Sequence, residues 1–246
     1  DSRIQSNSDS YDYVFVGAGS AGAIVAARLS EDPNVRVLLL EAGPKNNSYW
    51  SKIPLGFAKI ICMHKYMWWK QYSEPEPGLD NRKFPLLHGK IMGGSSSING
   101  LVHVRCSPTD YNTWEKMGAE GWAYEDVLPY FKKYEHDHRG ETQYHGGQGP
   151  IGIELAQWTH PLADEFITAV VESLGVARNN DLNGPTLPGA GYWDLTTWKG
   201  QRSSTSACYI KPNRDRPNLT IISKALSTKI EFEGKSAESI MYEQDG

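Results

Sequence analysis

Three cysteines in 246 residues are too few for a disulfide framework, and an odd number cannot all pair internally. Cys62, Cys106 and Cys208 also lack zinc-motif spacing, so buried or unpaired thiols are expected and no metal ligand set is read. No apolar run approaches the roughly 20 residues needed to cross a bilayer, so no membrane association is expected. Excess charge is lacking too: 25 Lys and Arg against 29 Asp and Glu give −4, which argues against a nucleic-acid partner. Lys132-Lys133, and Lys70 beside Trp69, read as solvated surface rather than a binding stripe. There is no internal repeat or low-complexity tract. Hydrophobic residues make up 39% and aromatics 11%, enough for a packed core, and the length suits one large domain or one domain plus part of another.

What is present starts at residues 12–43, where the strand Tyr13-Val14-Phe15-Val16 leads into a glycine-rich turn, a helix, a second apolar strand and an acid. Gly17, Gly19 and Gly22 form G-x-G-x-x-G. The first permits the tight turn, the second lets backbone approach a pyrophosphate, and the third lets the helix pack on the sheet. A pyrophosphate would rest on free amides at the helix N-terminus, where the dipole favours negative charge. Val35 through Leu40 is the apolar run of a parallel strand buried on both faces. Glu41 ends it where a carboxylate can accept from an adenosine ribose, and would repel a 2′-phosphate, favouring FAD or NAD over NADP.

Residues 1–10 are polar and expected to be a disordered lead-in or a surface strap. Residues 44–89 are too long for an idle loop. Their aromatics Trp50, Tyr66, Trp68, Trp69 and Tyr72 either wrap a large planar ligand or cover the sheet edge as core. A helix is expected over 121–135, with a kink or early break at Pro129. His136, His138 and His145, which follow it, read as a surface loop rather than a metal site. Leu162, Phe166, Val170 and Leu174 stand at steps of four and predict an amphipathic helix closed by Gly175. Strands return at 219–222, 228–232 and 239–242, with a tight Glu233-Gly234 turn.

A second small-residue motif, Gly89-Lys90-Ile91-Met92-Gly93-Gly94-Ser95-Ser96-Ser97-Ile98-Asn99-Gly100, packs Gly and Ser around one basic side chain. Consecutive Gly and Ser expose amides that can cradle an anion, and their lack of bulk admits a flat ring system. The apolar Ile91, Met92, Ile98, Leu101 and Val102 anchor its ends.

Together these segments resemble the glucose-methanol-choline (GMC) flavin oxidoreductases. The likeness continues through Val104-Arg105, Asp110-Tyr111, Trp114, Gly121-Trp122, Tyr130-Phe131, Asp181, Asn183-Gly184, Arg202-Ser203-Ser204-Thr205 and Arg216-Pro217-Asn218-Leu219, in order, from Tyr11 onward. The resemblance implies an α/β fold: a Rossmann-like FAD-binding domain with a parallel sheet, plus part of an α+β substrate-binding domain. It assigns residues 1–150 and 201–246 to FAD binding and 151–200 to the substrate domain.

It also implies FAD as cofactor, with Gly17, Gly19, Ser20, Ala21 and Gly22 at the pyrophosphate and Glu41 and Ala42 at the ribose. Lys90, Gly93, Gly94, Ser97, Asn99, Gly100, Leu101 and Val102 would run along the diphosphate and flavin. Ser227 and Ser239 would lie on the adenine side, where valine and glycine are usual. Members with covalent flavin carry histidine where Ile98 stands, so non-covalent FAD is expected. His103 and Cys106 also depart from the family pattern; His103 either faces the substrate or is a satisfied structural histidine.

The activity implied is oxidation of an alcohol-type CH–OH substrate by hydride transfer to flavin, as an oxidase releasing hydrogen peroxide on an aryl alcohol or cyanohydrin. An FAD-containing hydroxynitrile lyase and a dehydrogenase using another acceptor are the alternatives. None of the seven histidines sits in the context of the family's catalytic histidine, so a complementary C-terminal polypeptide is the expected partner. Residues 125–133 are similar to arthropod and some bacterial members. With the sequons at Asn46 and Asn218 and an N-terminus at Asp1, a secreted, glycosylated protein is expected.

Overall fold

The computed structural model describes residues 9–63, 67–186 and 188–244. Tyr66 and the first eight residues of the expected lead-in lie outside the described residues. In chain order the elements are β1 (Tyr13–Val16), α1 (Ser20–Leu29), β2 (Val37–Glu41), α2 (Gly56–Met63), β3 (Trp68–Tyr72), β4 (Pro85–Gly89), α3 (Pro108–Lys116), α4 (Tyr124–Tyr134), β5 (Glu135–Asp137), β6 (Ile151–Ile153), α5 (Pro161–Leu174), β7 (Thr197–Trp198), β8 (Gln201–Arg202), α6 (Lys211–Asn213), β9 (Leu219–Ser223), β10 (Ala225–Glu233) and β11 (Ser236–Gln244). They fall into two compact units, residues 1–100 with 204–246, and residues 101–203. The first packing boundary lies at 100, whereas the division by ligand expected from the sequence was placed at 150.

The first unit is built on a parallel sheet in the order β1-β2-β9. All five residues of β2 are buried because both faces are covered. Val37 and Leu39 pack with Ala23 and Ala26 of α1, together with Met92, Ile210 and Leu219. Leu38 and Leu40 pack on Ala225 of β10, with Ile240 and Tyr242 of β11 beside them. Each fully buried leucine contributes roughly 1.5–3 kcal/mol, so this strand anchors the unit. Alanines at the buried positions of α1 let the helix lie close to the sheet, the short crossover a parallel pair requires. β10 and β11 form an antiparallel hairpin turned by Gly234 at φ +61°, longer at both strands than the apolar pattern indicated. The aromatics of residues 44–89 divide: Trp68 is core with Ile60, Met67, Ile91 and Ile98, Trp50 packs against that cluster, and Tyr72 is exposed.

In the second unit, Ser107 and Asp110 form a capping box on α3, with Pro108 in the first turn. The helix α4 runs through Pro129 without ending there, so of the expected kink or early break the break does not occur. Proline removes one amide from the helical ladder but leaves the flanking turns intact here. The spacing in 161–174 gives α5 its true bounds, and Gly175 ends it at φ +62°. Its burial differs from the amphipathic expectation: Leu162, Phe166 and Leu174 are exposed, and only Ile167 is buried. No helix among the described residues is long and apolar enough to cross a membrane.

Candidate functional site

The cleft of the first unit opens at the carboxyl ends of β1 and β2, the edge where parallel α/β sheets hold ligands. Gly17 leaves β1 at φ +92° and donates its N–H to Leu40 O at 2.7 Å, which turns the chain sharply over the sheet. Gly19 caps α1 with extended backbone and no capping side chain, so the helix's first amides are left for an anion. A Cβ on Gly22 would collide with the carbonyl oxygen of Gly17, which is why the third glycine is needed.

The second small-residue motif meets the first directly. Gly93 N–H donates to Ala18 O at 2.7 Å. A Cβ on Gly94 would stand 2.7 Å from Gly19 Cα. Behind this contact, residues Gly94–Ser97 form a short 3-10 turn. Ser97 Oγ donates to Met92 O at 2.9 Å and accepts from Asn46 Nδ2 at 2.9 Å, while Ser96 Oγ donates to Gly93 O at 2.6 Å and accepts from Thr205 N–H at 3.1 Å.

Glu41 is 4% exposed and works in two directions. Its carboxylate accepts Ala18 N–H at 2.9 Å and Gly43 N–H at 2.8 Å, tying the glycine turn to the strand after which it sits. Burial pushes its pKa up, against the two amides and the charge of Lys90. Lys90 Nζ lies 4.8 Å from the Trp69 ring centroid, a cation–π contact.

The resulting cleft has a volume of about 330 Å³. Of the residues expected at a cofactor, Gly17, Gly19, Glu41, Ala42, Gly94 and Ser227 line it. Ser20, Ala21 and Gly22 occupy the first turn of α1; Lys90, Gly93 and Ser97 stand behind or beside the lining; Asn99 and Gly100 are exposed. Leu101 and Val102 belong to the second unit, where Leu101 takes φ +73° and Val102 bridges to Leu195. Val16, Leu40, Trp69, Gly89, Ala225 and Leu226 also line the cleft. Trp69 was legible only as one aromatic among five, and Ala225 and Leu226 only as neighbours of Ser227. Ser239 lies on β11, bonded to Glu231. The lining fits a dinucleotide: two bulk-free turns, free helix amides and an acid at a strand end.

The Asn218 Nδ2 donates to the carbonyls of Ser30, Asp32 and Val35 at 3.1, 2.8 and 2.8 Å, so this carboxamide is a structural clamp and a glycan there would displace it. Asn46 Nδ2 donates to Ser97 Oγ at 2.9 Å, and its Oδ1 accepts from Ser51 Oγ. His145, expected in a surface loop, is 1% exposed.

His145 belongs to a buried charge network of the second unit. Arg105 Nε donates to Glu135 at 2.7 Å, its Nη2 pairs with the other oxygen of Glu135, and Nη1 donates to Tyr144 O at 2.6 Å. His145 Nε2 lies 2.9 Å from Asp181, and Arg139 pairs with Asp137 and Asp194 at 2.9 and 2.8 Å. Glu135, Asp137 and His145 stand near enough together to grip a cation, but Arg105 supplies that positive charge: its Nη2 is 3.1 Å from His145 Nδ1. His103 is 6% exposed, with Nε2 2.8 Å from Tyr134 OH, Nδ1 3.3 Å from Asn183 and its carbonyl accepting from the same asparagine, which makes it a satisfied structural histidine. Burial lowers its pKa. Cys62, Cys106 and Cys208 form no disulfide.

The chain is 41% identical to the mitochondrial choline dehydrogenase of Mus musculus over 245 residues, covering 97% of this chain and 41% of the relative. The oxygen-dependent choline dehydrogenase of Sinorhizobium fredii is 41% identical over 235 residues, covering 96% and 42%. The chain thus spans less than half the length of these relatives. Among solved structures, pyridoxine 4-oxidase from Mesorbium loti superposes with TM-score 0.86 at 33% identity over 94% of this chain and 45% of that one. A formate oxidase of Aspergillus oryzae RIB40 superposes with TM-score 0.85 at 26% identity over 98% and 43%. The family model for the GMC oxidoreductases matches residues 11–246, and the chain belongs to that family.

Proposed function

We propose that this chain forms the FAD-holding part of an enzyme that oxidises an alcohol carbon. The observation that carries the reading is the close approach of Gly94 to Gly19 at the wall of the cleft, where an added Cβ would stand 2.7 Å from Gly19 Cα and the two glycine motifs bring main chain to the ligand space. Family membership supports the cofactor, as does the FAD of the formate oxidase the chain superposes on. FAD supplies a two-electron acceptor for the hydride of a CH–OH group.

The chain's own residues bind and orient. The α1 amides take the diphosphate, and Glu41 takes the ribose hydroxyls and turns away a 2′-phosphate. Gly93, Gly94, Ser97, Asn99 and Gly100 follow the diphosphate toward the flavin, with Leu101 and Val102 next in sequence. Ile98 is 2% exposed in an apolar cluster and offers no atom for a covalent flavin link, so FAD is held by contacts alone. The substrate proton needs a base, and His103 and His145 are both committed to buried networks. The reading therefore assigns the base to a complementary polypeptide of the same enzyme, in keeping with a chain that covers 41% of the mouse relative's length.

The test is anaerobic mixing of the yellow holoprotein with choline, aryl alcohols and cyanohydrins. Bleaching of the flavin by an alcohol supports oxidation, and peroxide release on admitting air identifies oxygen as acceptor. A cyanohydrin cleaved without bleaching would mean lyase chemistry, and a colourless protein or a bound nicotinamide dinucleotide would overturn the reading.

A further inference from the structure

We infer that the Ser227 hydroxyl reads the edge of the adenine base; the inference rests on the reading of the cleft given above. Ser227 lines the cleft, and its Oγ is buried with no hydrogen-bond partner among the described residues. Such an atom is costly to bury unless something satisfies it, and an orphan hydroxyl in a ligand cleft points to the ligand.

The strand is shaped to present it. β10 pairs with β11 as Ser227 to Tyr242 and then Lys229 to Met241, which leaves Thr228 as an extra residue. A bulge of this kind bends the strand and re-aims the neighbouring side chain. Two residues earlier, Ala225 is 1% exposed against Leu38 and Leu40, so the start of β10 is fixed to the core while its next residues face the cleft.

The surroundings select a purine rather than a sugar. Val16, Leu40, Leu226 and Trp69 give the cleft flat apolar walls. Among the described lining residues, Glu41 and Ser227 are the ones whose side chains carry oxygen, and Trp69 adds an indole N–H. Glu41 can only accept, which suits ribose hydroxyls and not the ring nitrogens of a base. A serine hydroxyl can donate to a ring nitrogen or accept from an exocyclic amine, so it matches the adenine edge in either sense.

The experiment compares FAD dissociation constants of reconstituted wild type, Ser227→Ala and Ser227→Thr. It repeats them with an FAD analogue whose adenine is replaced by benzimidazole, which lacks the nitrogens and amine of the six-membered ring. Loss of one hydrogen bond is expected to weaken FAD binding roughly three- to tenfold in Ser227→Ala, with Ser227→Thr near wild type. The analogue should bind wild type and Ser227→Ala alike. Unchanged FAD affinity in Ser227→Ala, or an equal loss on FAD and on the analogue, would overturn the contact while leaving the FAD site intact. A wild-type protein that binds no FAD would instead remove the underlying reading, and the inference with it.

Discussion

Gly94 stands in the left-handed region at φ +53° and presses its backbone on Gly19. Alanine there meets strain twice: the positive φ disfavours any Cβ, and the added carbon collides with main chain that cannot swing aside. Backbone strain of this sort costs about 1–3 kcal/mol. Gly94→Ala is expected to purify with its flavin-to-protein absorbance ratio at least about tenfold below wild type. A ratio equal to wild type would show that the close approach is dispensable. By contrast Gly118, also at positive φ, has nothing within 4 Å of an added Cβ, so only the conformational penalty applies there.

At the level of elements, β5 carries the sharpest electrostatic commitment. Glu135 is fully buried at its first position, immediately after α4, and Arg105 reaches it from the segment before α3. Removing one partner strands a charge in a medium that cannot solvate it, whereas removing both leaves a space that hydrocarbon can fill. Arg105→Met is expected to destabilise the fold by about 3–5 kcal/mol in denaturant unfolding. The double substitution Arg105→Met with Glu135→Leu should recover most of that loss. Additive losses would show that the pair is not coupled. Arg105 also lies 5.4 Å from the Phe131 ring centroid, so part of its role is packing.

Over the whole molecule, the network around His145 sets a pH signature. Burial opposes its charge, but the carboxylates around it, Asp181 at 2.9 Å, Asp137 at 3.3 Å and Glu135 at 3.7 Å, prevail, and its pKa is raised above 6.5. A raised folded pKa stabilises fully below the unfolded value and is lost as pH rises through the folded one. His103 runs the other way: burial lowers its pKa, so its contribution is present above 6.5 and fades as pH falls. The melting-temperature gap between wild type and His145→Gln should therefore narrow from pH 6 to pH 9. A gap that holds constant would mean that His145 acts through neutral hydrogen bonds alone.

The same contrast explains what could be read before the fold was known. Glycine spacing, the β2 apolar run and the helix of residues 161–174 are local patterns, and each emerged at its expected place. Long-range pairing was not legible: Arg105 and Glu135 are separated by 30 positions, His145 and Asp181 by 36, and Ser96 and Thr205 by 109. Nor does periodicity tell whether an apolar stripe is covered, as the exposed Leu162, Phe166 and Leu174 of α5 demonstrate. The Asn218 triplet likewise does not record the carbonyls folded onto its side chain from 183 to 188 residues away.

Ile98, hydrocarbon pointed into hydrocarbon, carries a last implication. On the proposed bond-free grip, the pigment comes and goes by mass action, so its presence adds stability that grows with the logarithm of its free concentration. Starving a culture of riboflavin should then yield pale, heat-sensitive protein that regains both colour and melting point when FAD is added back.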